Sequence, residues 1–393
     1  MMNKYLKMLN IATLCRVQFL LPLTLLFYQK NGLNVGDFFL FHGIFSLLCI
    51  IFTIPSGYIS DFFSKRDVLI VSYLMLLLKT ILWIGCSGWF VILLGEILVG
   101  FSKTLYDCTL SSYMYEYLKQ NNISEKMIGK CGLNGTCLSI STAIISLISG
   151  FIYTKYGFFM LLLLDLFFIS CSIILLCFLP KIKVVHNTYK MNIAQKYKEI
   201  LASIHLTMFN EKVNYYILLS RLFGTTTLIL AYNFQPIMQF SKISAKVFGA
   251  VYFVNYLFRA LSGTLVKHIN KILNCDNIIK INFVLFLLSL IMFVVSYVVD
   301  NKILVLATIL LSCIAICFEV MFYYINVNNL HKNVYNKIRS ACFSVNSTFA
   351  KIITSCVLIS FKFLLKFYDI KFVLLMYIVV FITSYFIIKR KVN

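Results

Sequence analysis

Stretches of about twenty apolar residues recur twelve times along this chain, and that is the length an α-helix needs to cross the hydrocarbon core of a bilayer. They run at about Ile11–Gln29, Asp37–Ser56, Val68–Cys86, Trp89–Tyr115, Gly132–Thr154, Gly157–Leu179, Val213–Gln239, Lys246–Val266, Ile278–Val299, Ile303–Val327, Ser340–Phe361 and Phe372–Ile388. In lipid every backbone N–H and C=O must find its partner inside the protein, so runs of this kind fold as helices. Composition agrees. Of 393 residues 61% are hydrophobic and 13% charged, with a mean hydropathy of +0.89. A soluble domain of this length needs far more polar surface. The expected fold class is an all-α membrane protein.

Charge gives a second constraint. The net charge is +22, from 36 Lys plus Arg against 14 Asp plus Glu. Such a balance is also a mark of nucleic-acid binding. Here the basic residues sit in short connections between apolar runs, which is a topology signal. With the N-terminus inside, inner connections and termini carry 22 Lys/Arg and outer ones 8. The positive-inside rule then puts both termini in the cytoplasm, and no nucleic-acid partner is expected. Lys4 and Lys7 precede an apolar run that no small-residue cleavage pattern interrupts, so the first run reads as a retained span. Thirteen Cys occur, mostly within apolar runs and with no CxxC pair. They read as small hydrophobes, with neither a metal site nor a disulfide framework.

The longest polar interval lies between the sixth and seventh runs. It divides the chain into an N-terminal six-helix bundle (1–180), a cytoplasmic loop (181–212) and a C-terminal six-helix bundle (213–393). The second half of the loop, Ile193–Met208, reads either as an amphipathic helix on the membrane face or as a plain basic linker. A weak internal repeat supports the two halves. Ser56-Gly57 ends span two and Ser262-Gly263 ends span eight, at an offset of 206 residues.

Ten charged residues inside the runs are candidates: Arg16, Lys79, Glu96, Lys103, Asp107, Asp165, Arg221, Arg259, Glu319 and Lys351. A charge in a span is costly, so each faces the protein interior or has a partner. Lys103 and Asp107 stand four apart and either neutralise each other or leave Asp107 as a proton or substrate carboxylate. Glu319 and Tyr323 share a helix face and suit a polar substrate. Arg16 either snorkels to the inner surface or faces inward. Arg221 and Arg259 suit a bidentate anion or an interior ion pair. Gln235 adjoins Pro236, where a broken ladder frees backbone groups. Glu96 and Lys79 fit a gate or an ion pair, and Asp165 a structural role. No metal cluster, phosphate loop or nucleophile elbow is present, so no catalytic residue and no enzyme activity is expected.

Between spans two and three the chain reads Gly57-Tyr-Ile-Ser-Asp61-Phe-Phe-Ser-Lys65-Arg66. This resembles the loop at that place in the major facilitator superfamily: Gly, three residues, Asp, then a turn closed by two basic residues. Ser64 stands where most members have Gly. Gly57 lets two helices approach closely. The resemblance implies that Asp61 sits against the inner end of span eleven near Ser340. Lys65 and Arg66 then pair with Glu116 at the inner end of span four, a latch that alternating access makes and breaks. Lys267 replaces the acid in the second half, so the latch is one-sided. Glu96, Gly100, Ser102 and Tyr115-Glu116 in span four resemble a bacterial efflux-type branch. So do Phe234-Gln235-Pro236 and Phe248-Gly249 later, and Arg339-Ser340-Ala341 with Ser344 in span eleven. The chain departs from that branch at Asp107-Cys108-Thr109 and in a span five without proline.

The resemblance implies twelve transmembrane helices in two six-helix pseudo-repeat bundles. It implies a secondary transporter of the bacterial inner membrane, monomeric and without cofactor, moving a small molecule by alternating access. Its direction reads as outward and proton-coupled, with an antibiotic, drug or peptide-like compound as cargo. The alternative is an importer, by symport or facilitated diffusion, of a nutrient, metabolite or short peptide.

Overall fold

A computed structural model describes residues 2–16, 18–120, 127–181, 211–272, 274–333 and 339–390. Among them the regular structure is helical throughout: α1 (Met2–Leu14), a short 3-10 turn (Leu21–Leu23), α2 (Thr24–Lys30), α3 (Val35–Phe62), α4 (Lys65–Gly85), α5 (Trp89–Gln120), α6 (Met127–Cys177), α7 (Glu211–Phe240), α8 (Ala245–Ile272), α9 (Cys275–Val299), α10 (Lys302–Asn333), α11 (Arg339–Leu364) and α12 (Ile370–Arg390). Every one of the twelve apolar runs overlaps helix. Among the described residues eight helical stretches are by themselves long and apolar enough to cross a membrane. The interval with the expected amphipathic helix, 193–208, lies outside the described residues.

Two places depart from simple rods. Spans five and six run into one another within α6, broken at Gly157, where φ is +76°. Glycine adopts that left-handed geometry without a Cβ clash, so the chain reverses there with no separate loop. Span one, expected as a single helix from Ile11 to Gln29, is instead broken. Its first part ends at Leu14 and its second begins with the 3-10 turn at Leu21. Pro22 lies in that turn, and a proline can begin a helix but cannot sit inside one without loss of a rung.

By contacts the chain falls into two compact units. One is Met1–Val185 with Ser244–Ala260; the other is His186–Ile243 with Leu261–Asn393. The first half of α8 thus belongs with the first unit, a division different from a cut at residues 181–212. In the first unit α5 packs on α3 and α4, while α6 packs on α1 and α4. The core between α1, α4, α5 and α6 holds Leu9, Tyr73, Tyr106, Tyr113, Ile169 and Leu176. In the second, α7 is the central helix, touching α9, α10, α11 and α12. Its Phe223 is wholly buried among Phe286, Phe322, Phe381 and Tyr385. The ends are set by local chemistry where it is available. Asn34 and Asp37 form a reciprocal capping box at the start of α3, with bonds of 2.9 and 3.0 Å.

Candidate functional site

The break in span one organises the polar interior of the first unit. A broken helix exposes backbone groups that a bilayer cannot satisfy, so side chains must reach them. Tyr73 on α4 and Ser172 on α6 donate to the carbonyl of Ala12, at 3.0 and 3.3 Å. Tyr106 on α5 donates to the Thr13 hydroxyl at 3.2 Å. Past the break, Asp165 on α6 accepts from the N–H of Phe19 at 2.7 Å, and the N–H of Leu20 also reaches this carboxylate. The second part of span one has no side-chain cap of its own, and Asp165 supplies one from a neighbouring helix.

Arg16 sits in the break. It does not snorkel to the surface; its Nη2 donates to the Ser102 hydroxyl at 2.8 Å, and Ser102 in turn donates to the Ser72 carbonyl at 2.6 Å. The guanidinium lies over the ring of Tyr106, 3.8 Å from its centroid, and 5.2 Å from that of Tyr73. Its Nη1 is buried without a hydrogen-bond partner. The guanidinium is thus held by two rings and one hydroxyl, with one buried nitrogen uncommitted.

Next to it on α5, Lys103 and Asp107 pair at 2.7 Å, yet their side chains are 51% and 47% exposed. Lys103 lies fourteen residues beyond Trp89, about 21 Å along the helix axis, so the pair sits at mid-span. Two charges exposed at that depth cannot face lipid tails, because each would cost several kcal/mol there. This face of the unit therefore meets water. Tyr106, itself buried, is close enough to Asp107 to feel its charge and carries Arg16 on its ring.

A second cluster lies deeper. Lys79 is wholly buried. Its ammonium donates to Gln18 in the break at 3.3 Å and lies 4.2 Å from the Trp83 ring centroid. It interacts electrostatically with Asp165 and Glu96. Glu96 accepts a 2.5 Å bond from the Tyr28 hydroxyl of α2.

In the second unit, Glu319 on α10 faces Gly224 on α7, where a Cβ would stand 3.9 Å from its Oε1. Tyr323 is 47% exposed while Glu319 is buried, so the expected pair shares a side but not an environment. Arg221 lies over the Phe349 ring at 4.7 Å. Gln235 is buried beside Pro236. Arg259 belongs to the first unit and lies 5.7 Å from the Tyr256 ring.

The loop motif divides its charges. Lys65 pairs with Glu116 at 2.5 Å. Arg66 goes elsewhere: its Nε and Nη2 bond Asp67, and its Nη1 donates to the carbonyls of Cys177 and Leu179 at 3.3 Å. Lys181 joins Asp67 at 3.3 Å. A helix C-terminus carries partial negative charge, which draws Arg66 to the end of α6 and leaves Glu116 to Lys65. Gly57 meets nothing where its Cβ would be. The side chains of Asp61, Ser340 and Lys267 lie outside the described residues. Glu116→Ala is expected to lower stability by about 1–3 kcal/mol, since it strands a cation at 8% exposure. Thermal unfolding of purified Lys65→Ala, Glu116→Ala and the double variant checks this; the double variant should lose less than the two singles together.

Sequence reasoning gave Lys79 and Glu96 a gate or ion-pair role and Asp165 a structural one, but missed the break in span one that Lys79 and Asp165 reach. The local signal for the break was Pro22 within an otherwise apolar run.

Among solved structures, the nucleoside transporter NupG is similar at a TM-score of 0.79 and 12% identity, with 100% of this chain and 99% of that one covered. A peptide transporter of the POT type, in complex with sulfate, matches at 0.70 and 11%, over 99% and 95%. A bacterial homologue of the human lysosomal transporter Spinster, inward-facing and unoccupied, matches at 0.65 and 12%, over 90% and 79%. At these identities the likeness speaks for the fold. No curated protein matches the chain in sequence. The model of the Major Facilitator Superfamily matches residues 9–357. A match over that share of the length, on an all-helical fold shared with solved transporters, means that the chain belongs to the Major Facilitator Superfamily and is a membrane transporter, not an enzyme.

Proposed function

We propose that this transporter takes up a small polar solute carrying an anionic or zwitterionic group, driven by the proton gradient. The observation that carries this is the exposed mid-span pair of Lys103 and Asp107, beside Arg16 on the buried Tyr106 ring. A lipophilic drug gains nothing from such a surface, since burying these charges against it would leave them unpaired. A carboxylate or phosphate replaces the water on Arg16 and Lys103, and an amino group meets Asp107. Solved relatives of the fold carry nucleosides and peptides, which supports a polar cargo. The export reading rests on span-four and span-seven sequence patterns. Of the acids in span four, Glu96 is engaged by Tyr28 and Asp107 by Lys103.

In this reading the protein lies in a bacterial inner membrane with both termini in the cytoplasm. Lys65 and Glu116 serve as the inner latch together with Asp61, while Arg66 braces the end of α6. Arg221, Gln235, Arg259, Glu319 and Tyr323 are further candidates for binding substrate or protons, each within its own unit.

The test is uptake into proteoliposomes of radiolabelled nucleosides, short peptides, amino acids and organic acids, with and without an inward proton gradient. Accumulation of one polar class supports the proposal. Movement of lipophilic cations alone overturns it in favour of export. Lys103→Ala and Asp107→Ala are each expected to lower uptake roughly tenfold or more, the worth of one charge-assisted hydrogen bond. The exchange Lys103→Asp with Asp107→Lys should not restore it, because a pair that only stabilised the helix would survive reversal and a binding pair would not.

A further inference from the structure

We propose that Asp165 is a proton-binding site of this transporter, and that its protonation releases the second part of span one and thereby moves Arg16. The proposal rests on the reading above that transport is proton-coupled, and it names where the proton sits.

Three charges converge on the broken span from three helices. Asp165 on α6 holds the N–H groups of Phe19 and Leu20. Lys79 on α4 holds Gln18. Glu96 on α5 holds Tyr28 on α2. Arg16 lies in the same break but is committed to Ser102 and the two tyrosine rings. Asp165, Lys79 and Glu96 are all buried. Asp165 and Glu96 share Lys79 as their ammonium, and a buried carboxylate without a counter-charge of its own is costly. One proton on Asp165 leaves a neutral Lys79–Glu96 pair.

The geometry says which carboxylate takes it. Glu96 has its Oε1 engaged by Tyr28, whereas the Oδ2 of Asp165 is buried with no hydrogen-bond partner. A lone pair in that state is the open position for a proton. The proton adds to Oδ2 and leaves from it, with no bond made or broken elsewhere. In the ionised state the carboxylate holds the Phe19 and Leu20 N–H groups by charge-assisted hydrogen bonds. In the neutral state these weaken to ordinary hydrogen bonds. The half-helix carries Tyr28 at one end and adjoins Arg16 at the other. A proton at Asp165 is thus felt by the residue that receives the substrate's anionic group.

Two measurements on the full-length protein test this, and Asp165→Asn serves both. Asparagine keeps an oxygen for the Phe19 N–H and cannot ionise, so it holds the neutral state without deleting the cap. The first needs no substrate. Trp83 lies against Lys79 and packs on Phe27 of the half-helix, at 5.3 Å between ring centroids. With Trp89→Phe it becomes the sole tryptophan. Its emission in nanodiscs is expected to change with pH in one transition, absent in Asp165→Asn and retained in Glu96→Gln. No transition, or one that persists in Asp165→Asn, overturns the proposal. The second uses whichever solute the uptake panel identifies. Asp165→Asn should exchange that solute across the membrane at equal concentrations, yet fail to accumulate it under a pH gradient. Loss of both activities in a protein that unfolds at the wild-type temperature would make Asp165 part of substrate binding and overturn the coupling role, as would retention of both. If no solute is transported by wild type, the uptake reading fails and the fluorescence result still judges Asp165.

Discussion

Arg16→Ala is expected to lower uptake at low substrate concentration by roughly 10- to 100-fold, with the protein still folded. The side chain donates one hydrogen bond to Ser102 and keeps Nη1 buried without a partner. An anionic group that bonds Nη1 would remove that deficit, and a hydrogen bond to a charged group contributes about 1.5–3 kcal/mol. The loss should fall on KM more than on the maximal rate if Arg16 only holds the solute. Arg16→Lys is the informative companion. A lysine keeps the charge but cannot lie flat on Tyr106 while donating to Ser102 and to the substrate at once. It should recover only part of the loss. Uptake kinetics for wild type and both variants, at matched reconstitution, decide the matter. Full activity in Arg16→Ala would remove Arg16 from the pathway and leave it as a helix-break filler.

Gly249→Leu is expected to have the largest effect on stability of any single change outside the charges. Gly249 on α8 meets the backbone of α6 within the first unit. A Cβ there would press on the Ser146 carbonyl and lie 3.1 Å from both the Gly150 amide and the Leu147 carbonyl. The contact is reciprocal, since a Cβ at Gly150 would lie 2.8 Å from the Lys246 carbonyl and 3.0 Å from that of Ala245. Backbone meeting backbone leaves no flexible atom to give way, so the helices must separate. A leucine should cost upwards of about 3 kcal/mol and an alanine about 1 kcal/mol or more. Thermal unfolding in detergent checks the order wild type, Gly249→Ala, Gly249→Leu. Equal unfolding temperatures would mean that α6 and α8 do not approach this closely.

The helices were legible because lipid leaves the chain almost no alternative. A run such as Ile278–Val299 has one way to satisfy its backbone in hydrocarbon, and the structure has α9 at Cys275–Val299. The partner of Lys65 was legible for the same kind of reason, a cation and an acid expected at the same end of neighbouring helices, and it is Glu116. Arg66 was not, because its acceptors are the carbonyls of Cys177 and Leu179, and backbone acceptors carry no signature in sequence.

Hydropathy alone thus determined where the chain is helical, that it belongs in a bilayer and which residues are costly enough to need a reason. It could not separate Asp107, exposed on its helix with Lys103, from Asp165, buried under a broken span 146 residues from the amide it caps. Both are single acids in apolar runs. What distinguishes them is which backbone or side chain reaches each carboxylate from another helix, and only the tertiary structure decides that. The same holds for Arg16, whose direction depends on a break that Pro22 permits but that Tyr73, Tyr106, Ser172 and Asp165 stabilise from three neighbouring helices.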